Sequence, residues 1–122
     1  MPFEFGEITT PAGRSCLLIE SSGHVGLADG HAMDAQLMPG MPHHGGLVFA
    51  RAAKGTEFSP ELRRFFPTMI GSYRAMAAVT GSPLVRAAVN LMVRFTPASA
   101  ETFRMFGSEA EALAWLDARA ED

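Results

Sequence analysis

"YRAMAAVTGSPLVRAAVNLMVRF", residues 73–95, decides the fold. Its first eight residues form a small, apolar run suited to a strand. Gly81-Ser82-Pro83 then ends that run and supplies an N-cap and a first-turn proline for a helix over 83–95. A strand that leads straight into a helix is the opening of a crossover unit, and crossovers join parallel strands. The same pattern occurs just upstream. "GLVFARAA", residues 46–53, is a short apolar run suited to a buried strand, and "FSPELRRFFPTMI", residues 58–70, follows it. There Ser59 is a good N-cap and Pro60 takes the first helical position. Leu62, Phe65, Phe66, Met69 and Ile70 recur at helical spacing, so a core-facing helix is predicted over 60–71. Pro67 removes a backbone donor from that helix and should kink or break it.

Downstream, "TFRMF" at 102–106 reads as a short strand and "GSEAEALAWLDARA" at 107–120 as a helix. Ser108 and Glu111 have the spacing of a capping box, and Ala112, Trp115 and Leu116 share an apolar face. Phe66 and Trp115 are expected in the core. Upstream, "PFEFGEITTPAGRSCLLIESSG" at 2–23 predicts two strands around a turn at Pro11-Ala12-Gly13, most simply an antiparallel hairpin. "LADGHAMDAQLM" at 27–38 predicts a helix, although Gly30 in its middle costs about 1 kcal/mol relative to alanine. The order is β-β-α-β-α-β-α-β-α, an α/β fold with a mixed, mainly parallel sheet packed with helices.

A chain of 122 residues fits one domain, 1–122, with 48% hydrophobic and 19% charged residues. A net charge of −3 and a pI near 5.8 give no basic footprint for nucleic acid. The longest strongly apolar run, 84–95, is interrupted by Arg86, Asn90 and Arg94 and falls short of the roughly 20 residues that cross a bilayer. No stable membrane insertion is expected. "MPFEFGEITT" lacks a basic segment followed by an apolar run, so no secretory signal is expected either. The single cysteine, Cys16, cannot form an internal disulfide and fits a reducing, cytoplasmic setting.

Three phrases carry a family resemblance: "FSPELRR" at 58–64, "AAVTGSPLVRAAVNLMVRF" at 77–95 and "FRMFGSEAEALAWL" at 103–116. Together with the element order they resemble the STAS-like superfamily, specifically its SpoIIAA-like branch, which stands beside the STAS and CRAL-TRIO lipid-transfer groups. The phrases cover the C-terminal half; the N-terminal half agrees in element order. The resemblance implies a non-enzymatic module that binds a protein partner or a small ligand. Anti-sigma-factor antagonists of this kind carry a phosphorylatable serine in an Asp-Ser-Ser-Gly phrase at the start of their second helix. Here that place reads "EFSPE", with Ser59 as the nearest counterpart, and Glu61 would repel a phosphate on it.

Reaction chemistry has few candidates. "LMPGMPHHGG" at 37–46 could be a Cu(I) or Zn site built from Met38, Met41, His43 and His44, with His31. However, adjacent histidines converge poorly on one ion, and Pro39, Gly40, Pro42, Gly45 and Gly46 suit a helix-to-strand loop, which is the favoured reading. His31 and Asp34, three apart, can touch as a surface pair. Cys16 is expected to be a small buried hydrophobe. No nucleophile elbow, phosphate loop or dinucleotide fingerprint occurs, so no catalytic residue, metal or cofactor is assigned.

The helix over 83–95 is the most informative surface. Arg86, Asn90 and Arg94 form its polar stripe, while Val85, Val89, Met92 and Val93 are placed to meet a second subunit or an amphiphilic ligand, or to enter the core. The leading expectation is a cytoplasmic regulatory or protein-interaction module that self-associates as a homodimer or meets another protein partner. Recognition is assigned to Ser59, Arg63, Arg64, Arg86, Val89, Asn90, Met92, Val93 and Arg94. The alternative is a binder of an apolar, lipid-like small molecule held between the sheet and the helices over 60–71 and 83–95. In either case the arginines could receive an anionic group.

Overall fold

A computed structural model describes residues 3–69, 71–84, 86–87, 90 and 102–121. Strands β1 (Phe3–Thr9) and β2 (Ser15–Ser21) form the expected antiparallel hairpin, with Phe3 opposite Ser21 and Thr9 opposite Ser15. Gly13 turns it with φ of 88°, a left-handed conformation that side-chain-bearing residues resist. Strands β4 (Leu47–Ala52), β6 (Ala75–Val79) and β7 (Phe103–Phe106) extend the sheet in the order β1-β2-β4-β6-β7. Every pair after the hairpin is parallel. The mixed, mainly parallel sheet read from the crossover grammar is therefore observed.

Alternation along each strand divides the interior into two layers. Leu17 and Ile19 of β2, Val48 of β4 and Met76 of β6 join one cluster, covered by helices α1 (Leu27–Gln36) and α2 (Pro60–Phe65) through Met33 and Leu62. Cys16, Leu47, Phe49, Ala75 and Ala77 point the other way, under Ala112 and Leu116 of the C-terminal helix α3 (Glu109–Glu121). Ala75 and Ala77 are fully buried, and their short side chains let α3 lie close against the sheet. The alanines of this strand therefore serve helix packing on this face.

Both proline readings hold. Ser59 caps α2 by accepting the Leu62 N–H at 3.1 Å, and the α-helix gives way at Phe66 to a 3₁₀ turn, Phe66–Met69, that contains Pro67. Burial depth differs from expectation. The core side chains of this region are Leu62 and Met69, whereas Phe65, Phe66 and, on α3, Trp115 are half-buried. Helical spacing identifies the inward face, but the large rings stand at its margins, where Phe66 meets Phe103 and Trp115 meets Phe106, each at 5.7 Å between ring centres.

Gly30 has a structural reason. A Cβ there would stand 2.5 Å from Leu62 Cδ1 and 3.1 Å from Phe65 Cδ2, so α2 rests directly on the α1 backbone at this residue. The glycine that weakens α1 as an isolated helix permits the helix–helix contact.

A second, two-stranded parallel sheet was not foreseen. Strand β3 (His24–Val25) pairs with β5 (Glu57–Phe58), and the Ser59 N–H continues the ladder to the Val25 carbonyl at 2.9 Å. The pairing sets the first turns of α1 and α2 side by side.

The stretch at 37–46 is a succession of turns, with Gly40 and Gly45 at φ of 91° and 69°. It is fastened to the entry of β6 by Gly45 N–H to Ser72 O and Arg74 N–H to Gly46 O. The two histidines turn to different partners: His44 Nδ1–H donates to the Leu37 carbonyl at 2.7 Å, and His43 Nε2 faces Glu7 at 4.0 Å. His31 lies against the Phe65 ring, 4.6 Å between ring centres. Among the described residues no helix is long and apolar enough to cross a membrane.

Candidate functional site

The outer side of β7 is an edge of the sheet, and an exposed edge offers unpaired backbone donors and acceptors. Here the edge is occupied at Met105. Asn90 donates its amide to the Met105 carbonyl at 3.1 Å and accepts the Met105 N–H at 3.0 Å. One side-chain amide thus does what a neighbouring strand would do. It also pins the helical backbone that begins at Pro83 alongside β7. That helical start is the one read from Gly81-Ser82-Pro83: the Arg86 N–H reaches the Ser82 carbonyl at 3.0 Å.

Between this segment and the start of α3 lies an open cleft of about 480 Å³, lined among the described residues by Arg86, Asn90, Arg104 to Ser108 and Glu111. Its chemistry is mostly polar. Arg86 crosses the strand-to-helix junction so closely that a Cβ on Gly107 would stand 2.2 Å from Nη1. A side chain at this position would displace the guanidinium from its present place. Arg104 extends over the Phe106 ring at 5.5 Å, a cation–π contact beside the cleft. Ser108 caps α3 weakly, accepting the Glu111 N–H at 3.4 Å, which places the positive end of the helix at the cleft wall.

The expected recognition residues separate into three sets. Arg86 and Asn90, one helical turn apart, face the same cleft. Ser59 caps α2 and Arg63 and Arg64 belong to it, in the layer across the sheet from α3, and the described cleft does not include them. Ser59 Oγ is engaged as a helix cap, and Arg64 approaches Glu61 at 3.9 Å on an exposed surface. Val89, Met92, Val93 and Arg94, with Val85, lie outside the described residues. Sequence reasoning missed Arg104 and Gly107 and took Ser108 and Glu111 only as capping residues. The available signal was the strand–glycine–helix phrase "FRMFGSE", which puts an arginine and a helix start at one sheet end.

Other titratable groups are tied into the frame. Asp117 of α3 accepts from Thr10 Oγ1 at 2.6 Å, Arg14 Nη1 at 3.0 Å and the Ala12 N–H at 3.1 Å, clamping the hairpin turn to the helix. The Thr10 hydroxyl and, after it, Arg14 hold its carboxyl below the ordinary carboxylate range, against an opposing effect of burial. Cys16 is fully buried, and burial, reinforced by Asp117, pushes its thiol up to about 11. It is the inert buried cysteine expected from its strand setting.

No family model matches the chain, and no curated protein matches it. Among solved structures, an uncharacterized protein of the DUF3478 family from Shewanella loihica PV-4, described as having a SpoIIAA-like fold, superposes with a TM-score of 0.66 over 93% of each chain at 16% sequence identity. The chain therefore has a SpoIIAA-like, STAS-like fold.

Proposed function

We propose that this chain is a non-enzymatic interaction module that self-associates through the helical surface beginning at Pro83. The observation that carries this reading is the contrast between interior and surface. Leu17, Ile19, Met33, Leu37, Val48 and Met69 are each at most 1% exposed, so side chains fill the space between the sheet and the α1–α2 layer. An apolar molecule held there would have to displace them, which counts against a lipid-like ligand under α1 and α2; the side of that pocket expected from Val89, Met92 and Val93 lies outside the described residues. Leu84, in contrast, is 80% exposed on the segment that Asn90 anchors to the sheet edge. Cyclic dimers are the commonest assemblies, and an exposed leucine near a two-fold axis meets its own copy. The hydrogen-bonded side chains of Ser59, His44 and Asp117 and the buried thiol of Cys16 favour a binding role over catalysis.

Sedimentation velocity over a concentration series tests the reading, with Leu84→Glu as the variant. The wild type should sediment increasingly as a dimer while the variant stays monomeric with an unchanged circular dichroism spectrum. A wild type that remains monomeric throughout, or a variant that assembles like it, would overturn the proposal.

A further inference from the structure

We propose that the cleft between Arg86 and Arg104 binds the phosphate monoester of a hydroxylated small molecule. The inference goes beyond self-association and does not rest on it. Arg14, Arg51 and Arg64 each face a carboxylate: Asp117 at 3.0 Å, Glu109 at 2.7 Å and Glu61 at 3.9 Å. Arg86 and Arg104 line one concavity and, among the described residues, have no carboxylate within ion-pair distance.

Both guanidinium groups lie against uncharged groups. Arg86 lies against the Gly107 backbone, where a Cβ would come 2.2 Å from Nη1, and Arg104 lies on the Phe106 ring. Neither of these neighbours carries a charge that would compete with an anion. The Asn90 bridge to Met105 fixes the element that carries Arg86 relative to the strand that carries Arg104. Two planar donors lining one cleft suit the several acceptor oxygens of a dianionic phosphate, which a lone carboxylate would satisfy less completely. The N-terminal end of α3, a 13-residue helix entering at Ser108, adds a field of the same sign.

Size and the remaining charge define the rest of the ligand. The cleft, about 480 Å³, falls within the range of roughly 300–1,000 Å³ typical of small-molecule sites and exceeds what inorganic phosphate needs. Glu111 lines the same space and opposes an anion placed beside it. Its carboxylate is an acceptor, so it suits a hydroxyl on the organic part while the phosphate sits toward the arginines.

Titration of the whole ¹⁵N-labelled chain with glucose 6-phosphate, inorganic phosphate, glucose and a phosphoserine peptide, followed by amide and arginine Nε signals, tests this assignment. Glucose 6-phosphate should give saturable shifts at Gly107, Ser108 and the Nε groups of Arg86 and Arg104, and should bind more tightly than the other three probes. Arg86→Gln and Arg104→Gln should each weaken it by about tenfold or more, with the same spectra reporting that the variants are folded. Glu111→Gln should tighten inorganic phosphate and weaken glucose 6-phosphate. Shifts no larger than chloride gives at equal ionic strength, or binding that survives both arginine substitutions, would overturn the site. Tighter binding of the phosphopeptide, or the same effect of Glu111→Gln on both phosphates, would overturn the small-molecule assignment.

Discussion

Replacing Gly30 by alanine sets two effects of similar size against each other. In an open helix the change would stabilise α1 by about 0.8–1.0 kcal/mol, because glycine has more backbone freedom to lose. Here the new methyl would stand 2.5 Å from Leu62 Cδ1 and 3.1 Å from the Phe65 ring. Leu62 is 2% exposed and cannot swing aside into solvent, so α2 must move or strain, at a typical overpacking cost of about 1–3 kcal/mol. The cost prevails. Gly30→Ala should lose about 1 kcal/mol net, between nearly 0 and about 2, or a few degrees in Tm for a chain of this length. Urea unfolding followed by circular dichroism and by the fluorescence of the single tryptophan, Trp115, supplies the measurement. A double-mutant cycle isolates the cause. Leu62→Ala alone should cost about 2–5 kcal/mol, and in the Gly30→Ala background about 1 kcal/mol less, because the added methyl then fills part of the vacated space. A Gly30→Ala protein stabilised by the full propensity gain, with no coupling to Leu62, would refute the packing of α2 on α1 described above.

Two further expectations concern the frame of the site. Asn90→Ala removes both hydrogen bonds to Met105 and should cost about 1–3 kcal/mol in urea unfolding while increasing concentration-dependent aggregation, since the β7 edge is uncovered. A loss below about 0.5 kcal/mol, as for an ordinary surface substitution, would count against the bridge. Asp117→Asn should lower stability at neutral pH, and the difference from wild type should shrink on acidification. Folding lowers this carboxyl's pKa, so its stabilising contribution is present above the unfolded value, near 3.8, and is lost as pH falls through the folded value. A difference that stays constant down to pH 2 would contradict the clamp.

Particular residues show what the sequence made legible. Ser59-Pro60 and Ser82-Pro83 marked helix starts because a cap and a first-turn proline act locally, and Pro67 marked the loss of regular helix for the same reason. The hairpin and the crossovers followed from turn residues and apolar runs. Strands β3 and β5, two residues each, are too short to carry a period, and their pairing joins segments more than 30 residues apart. Gly30 read as a weakness because its benefit lies on another helix. Phe65, Phe66 and Trp115 were placed on the correct faces, but spacing gives direction without depth, and the deepest positions went to Leu62, Met69 and Leu116. The candidate site divides in the same way. Arg86 and Asn90 were legible as one helical stripe, whereas Arg104 and Gly107 join them only through the pairing of β7 and the Asn90 bridge.

In the proposed dimer a second copy of the chain meets the surface beginning at Pro83. An isotope-filtered NOE experiment on mixed labelled and unlabelled protein, at a concentration where the dimer predominates, addresses this contact most directly. Intermolecular contacts should arise from the Leu84 methyl groups and be lost in Leu84→Glu. A dimer whose intermolecular contacts arise instead from other exposed apolar residues, such as Leu27 and Phe58 or Met38 and Met41, with none from Leu84, would contradict this arrangement.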